Sequence, residues 1–151
     1  MVGAESCDDG GTGCDATCTG PKPGYSCIGG SNTTATVCTT ACGDGNKYGS
    51  EACDDGGTVA GDGCSATCTV ETGWTCSGGS TTTPDVCAPV CGSSTTNLPE
   101  TCDDGSNDGI GCAAGCSGVT LGYECLGTPP GKFTCTVKCG NGIVTSPETC
   151  D

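Results

Sequence analysis

The chain contains no histidine and no arginine, and its four lysines face 18 carboxylates, for a net charge of −14. Without histidine there is no Ser–His or Cys–His nucleophile pair and no imidazole base. Without arginine there is no bidentate clamp for phosphate. The negative charge repels nucleic acid and anionic lipid, so no nucleic-acid partner is expected. No apolar run approaches the ~18 residues of a membrane span, so no direct membrane insertion is expected either. These absences remove most catalytic chemistry, and the chain is read as a non-enzyme.

Bulky apolar residues are scarce as well. The hydrophobic class makes up 33% of 151 residues, but 19 of those residues are cysteine and ten are alanine. The remaining 21 are too few to cover a conventional core for a chain of this length. What the chain has instead is cysteine, together with 29 glycines. Thiols at this density persist as disulfides in an oxidising space, which predicts an extracellular or cell-surface location. A metal-thiolate protein is the alternative. Zinc sites use C-x-x-C knuckles and often histidine, whereas the close pairs here are spaced C-x-x-x-C, as in Cys64/Cys68 and Cys112/Cys116. Disulfides are therefore expected, and no cofactor is required. Met1-Val2-Gly3-Ala4 leads straight into the first motif without a signal peptide. The chain is accordingly expected to be processed or excised from a longer protein.

Self-comparison reveals a tandem repeat. Glu5-Ser6-Cys7-Asp8-Asp9-Gly10 recurs as Glu51-Ala52-Cys53-Asp54-Asp55-Gly56 and as Glu100-Thr101-Cys102-Asp103-Asp104-Gly105, and begins again at Glu148-Thr149-Cys150-Asp151. Each unit continues with a glycine-rich loop, a C-x-x-x-C pair, Gly-aromatic-x-Cys (Gly24-Tyr25, Gly73-Trp74, Gly122-Tyr123), and a closing C-x-x-x-C-Gly. The expected organisation is repeat 1 over 1–45, repeat 2 over 46–94, repeat 3 over 95–142, and the start of a fourth over 143–151. Three units of six cysteines leave Cys150 to open the fourth.

These motifs resemble the disulfide-rich repeat of myxobacterial type, found in tandem in large secreted or cell-surface proteins. Cys42-Gly43-Asp44-Gly45, Cys53-Asp54-Asp55-Gly56 and Gly61-Asp62-Gly63-Cys64-Ser65-Ala66-Thr67-Cys68 carry the likeness best. Cys91-Gly92-Ser93-Ser94 departs from it. The resemblance implies architecture and location rather than chemistry. Similar cysteine-rich arrays build extracellular fibres, including the mastigonemes of algal flagella.

The fold class is thus small and disulfide-rich: tandem repeats of ~47 residues with short β-hairpins and loops, an elongated array, and almost no helix. The later half of each unit reads as a hairpin, as in 122–126 and 132–137 around Gly127-Thr128-Pro129-Pro130-Gly131. One aromatic per unit, Tyr25, Trp74 or Tyr123, is expected to pack as a miniature core against the bridges. Six cysteines allow fifteen pairings, and sequence does not select among them. The hairpins favour Cys27–Cys38, Cys76–Cys87 and Cys125–Cys135. Closure of the acidic loops by the first and third cysteines then gives Cys7–Cys18, Cys53–Cys68 and Cys102–Cys116. That leaves Cys14–Cys42, Cys64–Cys91 and Cys112–Cys139.

The recurring carboxylates admit two readings. Asp54, Asp55 and Asp62, and again Asp103, Asp104 and Asp108, lie on glycine-rich loops that could supply the hard oxygens calcium needs. None follows EF-hand spacing. Alternatively, the aspartates cap turns through their own backbone hydrogen bonds. Asn32-Thr33-Thr34 is an N-glycosylation sequon, and the runs around Thr81, Thr82, Thr83, Thr95 and Thr96 suggest O-glycans. Two functions are weighed. One is a structural segment that builds or spaces a glycosylated filament or cell-surface protein, with adjacent repeats and like subunits as partners. The other is a calcium-dependent adhesion module using the Asp-Asp-Gly loops. No single unit concentrates unusual residues, which favours the structural role.

Overall fold

The computed structural model describes residues 6–31, 34–149 and 151. Among them there is no helix, and the regular structure consists of three strand pairs. β1 (Tyr25–Ser31) runs antiparallel to β2 (Thr34–Thr40), β3 (Trp74–Ser77) pairs with β4 (Val86–Pro89), and β5 (Tyr123–Leu126) runs antiparallel to β6 (Thr134–Val137). Each Gly-aromatic-x-Cys motif starts the first strand of its pair. Period-two alternation turns the aromatic and the cysteine to one face and the next residue outward. Ile28, opposite Val37, and Leu126 consequently stay exposed.

Contacts divide the chain into two compact units, one comprising residues up to Val70 with Cys76–Cys87, the other Glu71–Thr75 with Ala88–Asp151. In both, the fully buried side chains are cysteines and aspartates: Cys7, Cys53, Cys64 and Asp54 in the first, Cys102, Cys112, Cys116 and Asp103 in the second. The aromatics expected as cores are only half-buried. With so little apolar volume, the interior is built from sulfur and hydrogen-bonded carboxylate.

Eight disulfides join the described residues. Three cross the strand pairs, Cys27–Cys38, Cys76–Cys87 and Cys125–Cys135, each with Cα atoms 4.0 Å apart. Cys27 and Cys125 stand directly opposite their partners in the strand register.

The other expected pairings do not form. Cys7 bonds Cys14 rather than Cys18, Cys53 bonds Cys64 rather than Cys68, and Cys102 bonds Cys112 rather than Cys116. In place of Cys14–Cys42, Cys64–Cys91 and Cys112–Cys139, the structure has Cys42–Cys68 and Cys91–Cys116, and Cys139 carries an exposed thiol. The reason lies in the C-x-x-x-C turn. The N–H of Cys68 closes on the Ser65 carbonyl at 2.9 Å, and Cys68 and Cys116 both take φ of 54°. The first cysteine of the turn can then close the acidic loop, while the second reaches the preceding repeat's last cysteine. These two bonds cross the boundaries expected at 45/46 and 94/95. Each closed loop contributes about 3 kcal/mol in the chain-entropy model.

Segments 42–51, 91–100 and 139–148, here called heads, lie between the last cysteine of one repeat and the first of the next. Each head covers the glycine that opens the preceding strand pair. A Cβ on Gly24 would meet the Tyr48 ring, one on Gly73 would meet Asn97, and one on Gly122 would meet Thr145. That contact explains the glycine of the Gly-aromatic motif.

One head position is strained. Gly45 has φ +80°, and at its counterpart Ser94 keeps φ +68° with a side chain, which costs about 1–2 kcal/mol in the left-handed region. Ser94→Gly is expected to stabilise the protein by about 1 kcal/mol, allowing for glycine's greater freedom when unfolded. Urea denaturation of the oxidised protein measures it.

Candidate functional site

The carboxylates singled out in the sequence fall into distinct positions. Asp54 is fully buried, and its two oxygens accept four backbone hydrogen bonds. Gly43 and Asp44 donate to Oδ2 at 2.9 and 3.3 Å, and Gly45 and Gly56 donate to Oδ1 at 2.9 Å each. Three of those donors belong to the head. Asp103 does the same for the next head. Ser93 N–H and Oγ–H donate to its Oδ2 at 3.0 and 3.2 Å, and Ser94 and Gly105 N–H donate to Oδ1 at 3.2 and 2.7 Å. Asp151 accepts from Gly140, Asn141 and Ile143 of the third head. The first aspartate of the second, third and fourth motifs is therefore an amide collector.

The second aspartates cap their own loops. Asp55 Oδ1 accepts Gly57 N–H at 3.0 Å. Asp104 Oδ1 accepts Ser106 N–H at 3.1 Å, and its Oδ2 accepts Cys112 N–H at 3.0 Å. Burial pushes Asp104 up, but its hydrogen bonds from Cys112 and Ser106 outweigh this and leave it below the usual carboxylate range. Asp62 and Asp108 are exposed. Ser106 Oγ lies 3.0 Å from both Asp104 Oδ1 and Asp108 Oδ1, beside an open cavity of about 390 Å³ also lined by Tyr123, Lys132 and Phe133. Of the six candidate calcium ligands, Asp54, Asp103 and Asp104 thus have both oxygens engaged by N–H and O–H donors, and Asp104 and Asp108 converge on the Ser106 hydroxyl. The four-cysteine groups, such as Cys7, Cys14, Cys27 and Cys38, offer no thiolates, since their sulfurs are already bonded in pairs.

Two positions were missed in the sequence. Asp85 is buried, accepts Asp54 N–H at 3.0 Å and Gly79 N–H at 2.9 Å, and lies 3.4 Å from Lys47 Nζ. Burial raises its pKa, but the hydrogen bonds from Asp54 and Gly79 and the neighbouring Lys47 bring it below the ordinary value. Its counterparts Thr36 and Phe133, each two residues before the fifth cysteine, donate their N–H to Asp8 and Asp103 carbonyls as Asp85 does to Asp54. That alignment was visible, but the residue types differ. Glu51, Glu100 and Glu148 were part of the motif without a role. Their Oε2 atoms accept the N–H of Tyr48, Asn97 and Thr145 at 2.8, 2.9 and 2.9 Å. Their Oε1 atoms are buried without a hydrogen-bond partner.

Among the proposed glycan acceptors, Thr81, Thr82 and Thr83 are exposed and Thr95 is half-buried. Thr96 is buried and donates its hydroxyl to the Gly131 carbonyl at 2.7 Å, so the folded chain does not present it for modification. Asn32 lies outside the described residues.

Residues 24–69 match a family described as a domain of unknown function (DUF4215). No curated protein and no solved structure matches the chain. The chain contains a cysteine-rich repeat. The matched stretch includes six cysteines that pair only with one another, Cys27–Cys38, Cys42–Cys68 and Cys53–Cys64. The covalently closed unit therefore runs from a strand pair through the following head and acidic loop. Its disulfides suggest an oxidising environment, and no helix among the described residues is long and apolar enough to cross a membrane.

Replacing Asp54 by alanine leaves four amide donors without their acceptor and is expected to cost at least about 3 kcal/mol. Asp44→Ala, at an exposed head residue, should cost less than about 1 kcal/mol. Urea denaturation compares them. Asp15 gives a pH signature. Hydrogen bonds from Thr19 N–H and Oγ1–H and from Thr17 hold its carboxyl at about 2. A depressed folded pKa stabilises fully above the unfolded value of about 3.9, and the contribution disappears as pH falls through about 2. NMR titration of the Asp15 carboxyl carbon should give a midpoint near 2.

Proposed function

We propose that the chain is a structural, non-catalytic segment of an extracellular protein, in which disulfide-closed repeats build or space a filament or cell-surface assembly. The observation carrying this reading is the pair of disulfides, Cys42–Cys68 and Cys91–Cys116, that tie a head to the acidic loop following it. Such bonds close each unit covalently, from its strand pair through its head to its acidic loop, as a rigid element of a spacer requires. Repeat arrays with only neighbour contacts extend rather than collapse. The exposed loop Thr81–Thr82–Thr83 and the sequon at Asn32 would carry glycans, and the charge of −14 would keep adjacent filaments apart. The resemblance to repeats of large secreted proteins and to mastigoneme-type fibres points the same way.

A second reading is favoured by the convergence of Asp104 and Asp108 on Ser106: a binding module that takes calcium at the third repeat's loop. Small-angle scattering with and without calcium separates the two. The array should have a radius of gyration well above the ~15 Å of a globule of this length, unchanged by calcium. A compact particle refutes the array. Calorimetric heat with calcium that disappears in Asp104→Ala favours the binding module.

A further inference from the structure

A buried carboxylate oxygen without a partner costs stability, yet Glu51, Glu100 and Glu148 each bury one. All three sit beside the sulfurs of the head joints. A Glu100 oxygen, Cys91 Sγ and Cys116 Sγ lie within 4.8 Å of one another, as do oxygens of Glu51 and Asp54 with Cys68 Sγ. At the third head the corresponding sulfur is the Cys139 thiol. The neighbouring Glu148 carboxylate pushes it up, and the charge of Asp151 adds to the rise. The arrangement recurs although the head sequences differ.

We propose that the glutamate of each Glu-x-Cys-Asp motif guards its joint against thiol–disulfide exchange by disfavouring a thiolate at the joint sulfur. Exchange proceeds through thiolates. An incoming thiolate forms a new S–S bond to one joint sulfur while the Cys91–Cys116 bond breaks. The bond's electron pair leaves on the other sulfur, which then takes a proton from water. With dithiothreitol as reductant, its second sulfur displaces the protein sulfur and closes the cyclic disulfide, so the reagent is oxidised as the joint is reduced. Both the approach of the anion and the departure of the new thiolate bring negative charge beside Glu100, and a leaving thiol of higher pKa leaves more slowly. The danger being guarded against is real in this chain. Sulfurs of different disulfides lie only 3.8 Å apart at Cys14 and Cys38 and 3.9 Å at Cys112 and Cys135, so one reactive thiolate could begin reshuffling.

The test has two arms on the intact chain. In the first, iodoacetamide, a neutral reagent, alkylates Cys139 at pH 8, and peptide mass spectrometry follows that residue alone. Glu148→Gln should raise the rate about tenfold. In the second, dithiothreitol reduction is followed by alkylation mapping. Glu100→Gln should speed opening of Cys91–Cys116 about tenfold, while Cys42–Cys68 keeps its wild-type rate. That second joint, with its own Glu51, reports whether the variant is still folded. Should Glu100→Gln open every disulfide together, Glu148→Gln decides alone. Rates within twofold of wild type at Cys139, or at Cys91–Cys116 in a folded Glu100→Gln variant, would overturn the proposal.

Discussion

Asp54 gathers backbone amides from two segments, the head before it and the loop after it, onto one buried carboxylate. In a chain with too few large apolar residues to form a core, this contact substitutes for burial as the means of setting one segment against another. A buried carboxylate is tolerable only when its lone pairs are occupied, and charge-assisted bonds to amides are the stronger kind. Because the acceptor reads N–H groups, the head's side chains are free to vary. Gly-Asp-Gly, Gly-Ser-Ser and Gly-Asn-Gly all serve, Ser93 adding its own hydroxyl. The cost of that freedom falls on the backbone, as the left-handed Ser94 shows.

Much of the fold was legible because it is local. Strand pairs follow from alternation and turn chemistry around each Gly-aromatic-x-Cys, and the cross-strand disulfides follow from two cysteines placed opposite each other. The remaining pairings depend on which repeat the head folds toward. Nothing in the periodicity reports that choice, because it is made by hydrogen bonds from head amides to an aspartate ten residues or so along the chain. The boundaries drawn at 45 and 94 cut through the heads for the same reason. The acidic loops were ambiguous in a related way. An aspartate beside glycines looks alike whether its oxygens face a cation or backbone amides, and only the surrounding donors show that Asp54, Asp103 and Asp104 face amides.

The glutamates illustrate a different limit of reading by residue type. Glu51 and Glu100 look like solvated surface charge, since acidic residues are abundant in this chain, yet they are buried and each closes a short head turn through Oε2. The acidic composition therefore contains groups with separate tasks: aspartates that collect amides, aspartates that cap their own loops, glutamates that close heads beside sulfur, and exposed carboxylates. What distinguishes them is the identity of the facing donor, not the spacing between acids.

The third head repeats this arrangement. Cys139 there is a thiol, with no joint disulfide to draw the chain together. Even so, Asp151 holds the amides of Gly140, Asn141 and Ile143, Glu148 holds Thr145, and the head covers Gly122. In the closed joints the same contacts place Cys42 and Cys91 where Cys68 and Cys116 can reach them, with Cα atoms 5.5 Å apart in each pair, within the normal span of a disulfide. The directional hydrogen bonds of the head and the joint disulfide thus favour one and the same arrangement.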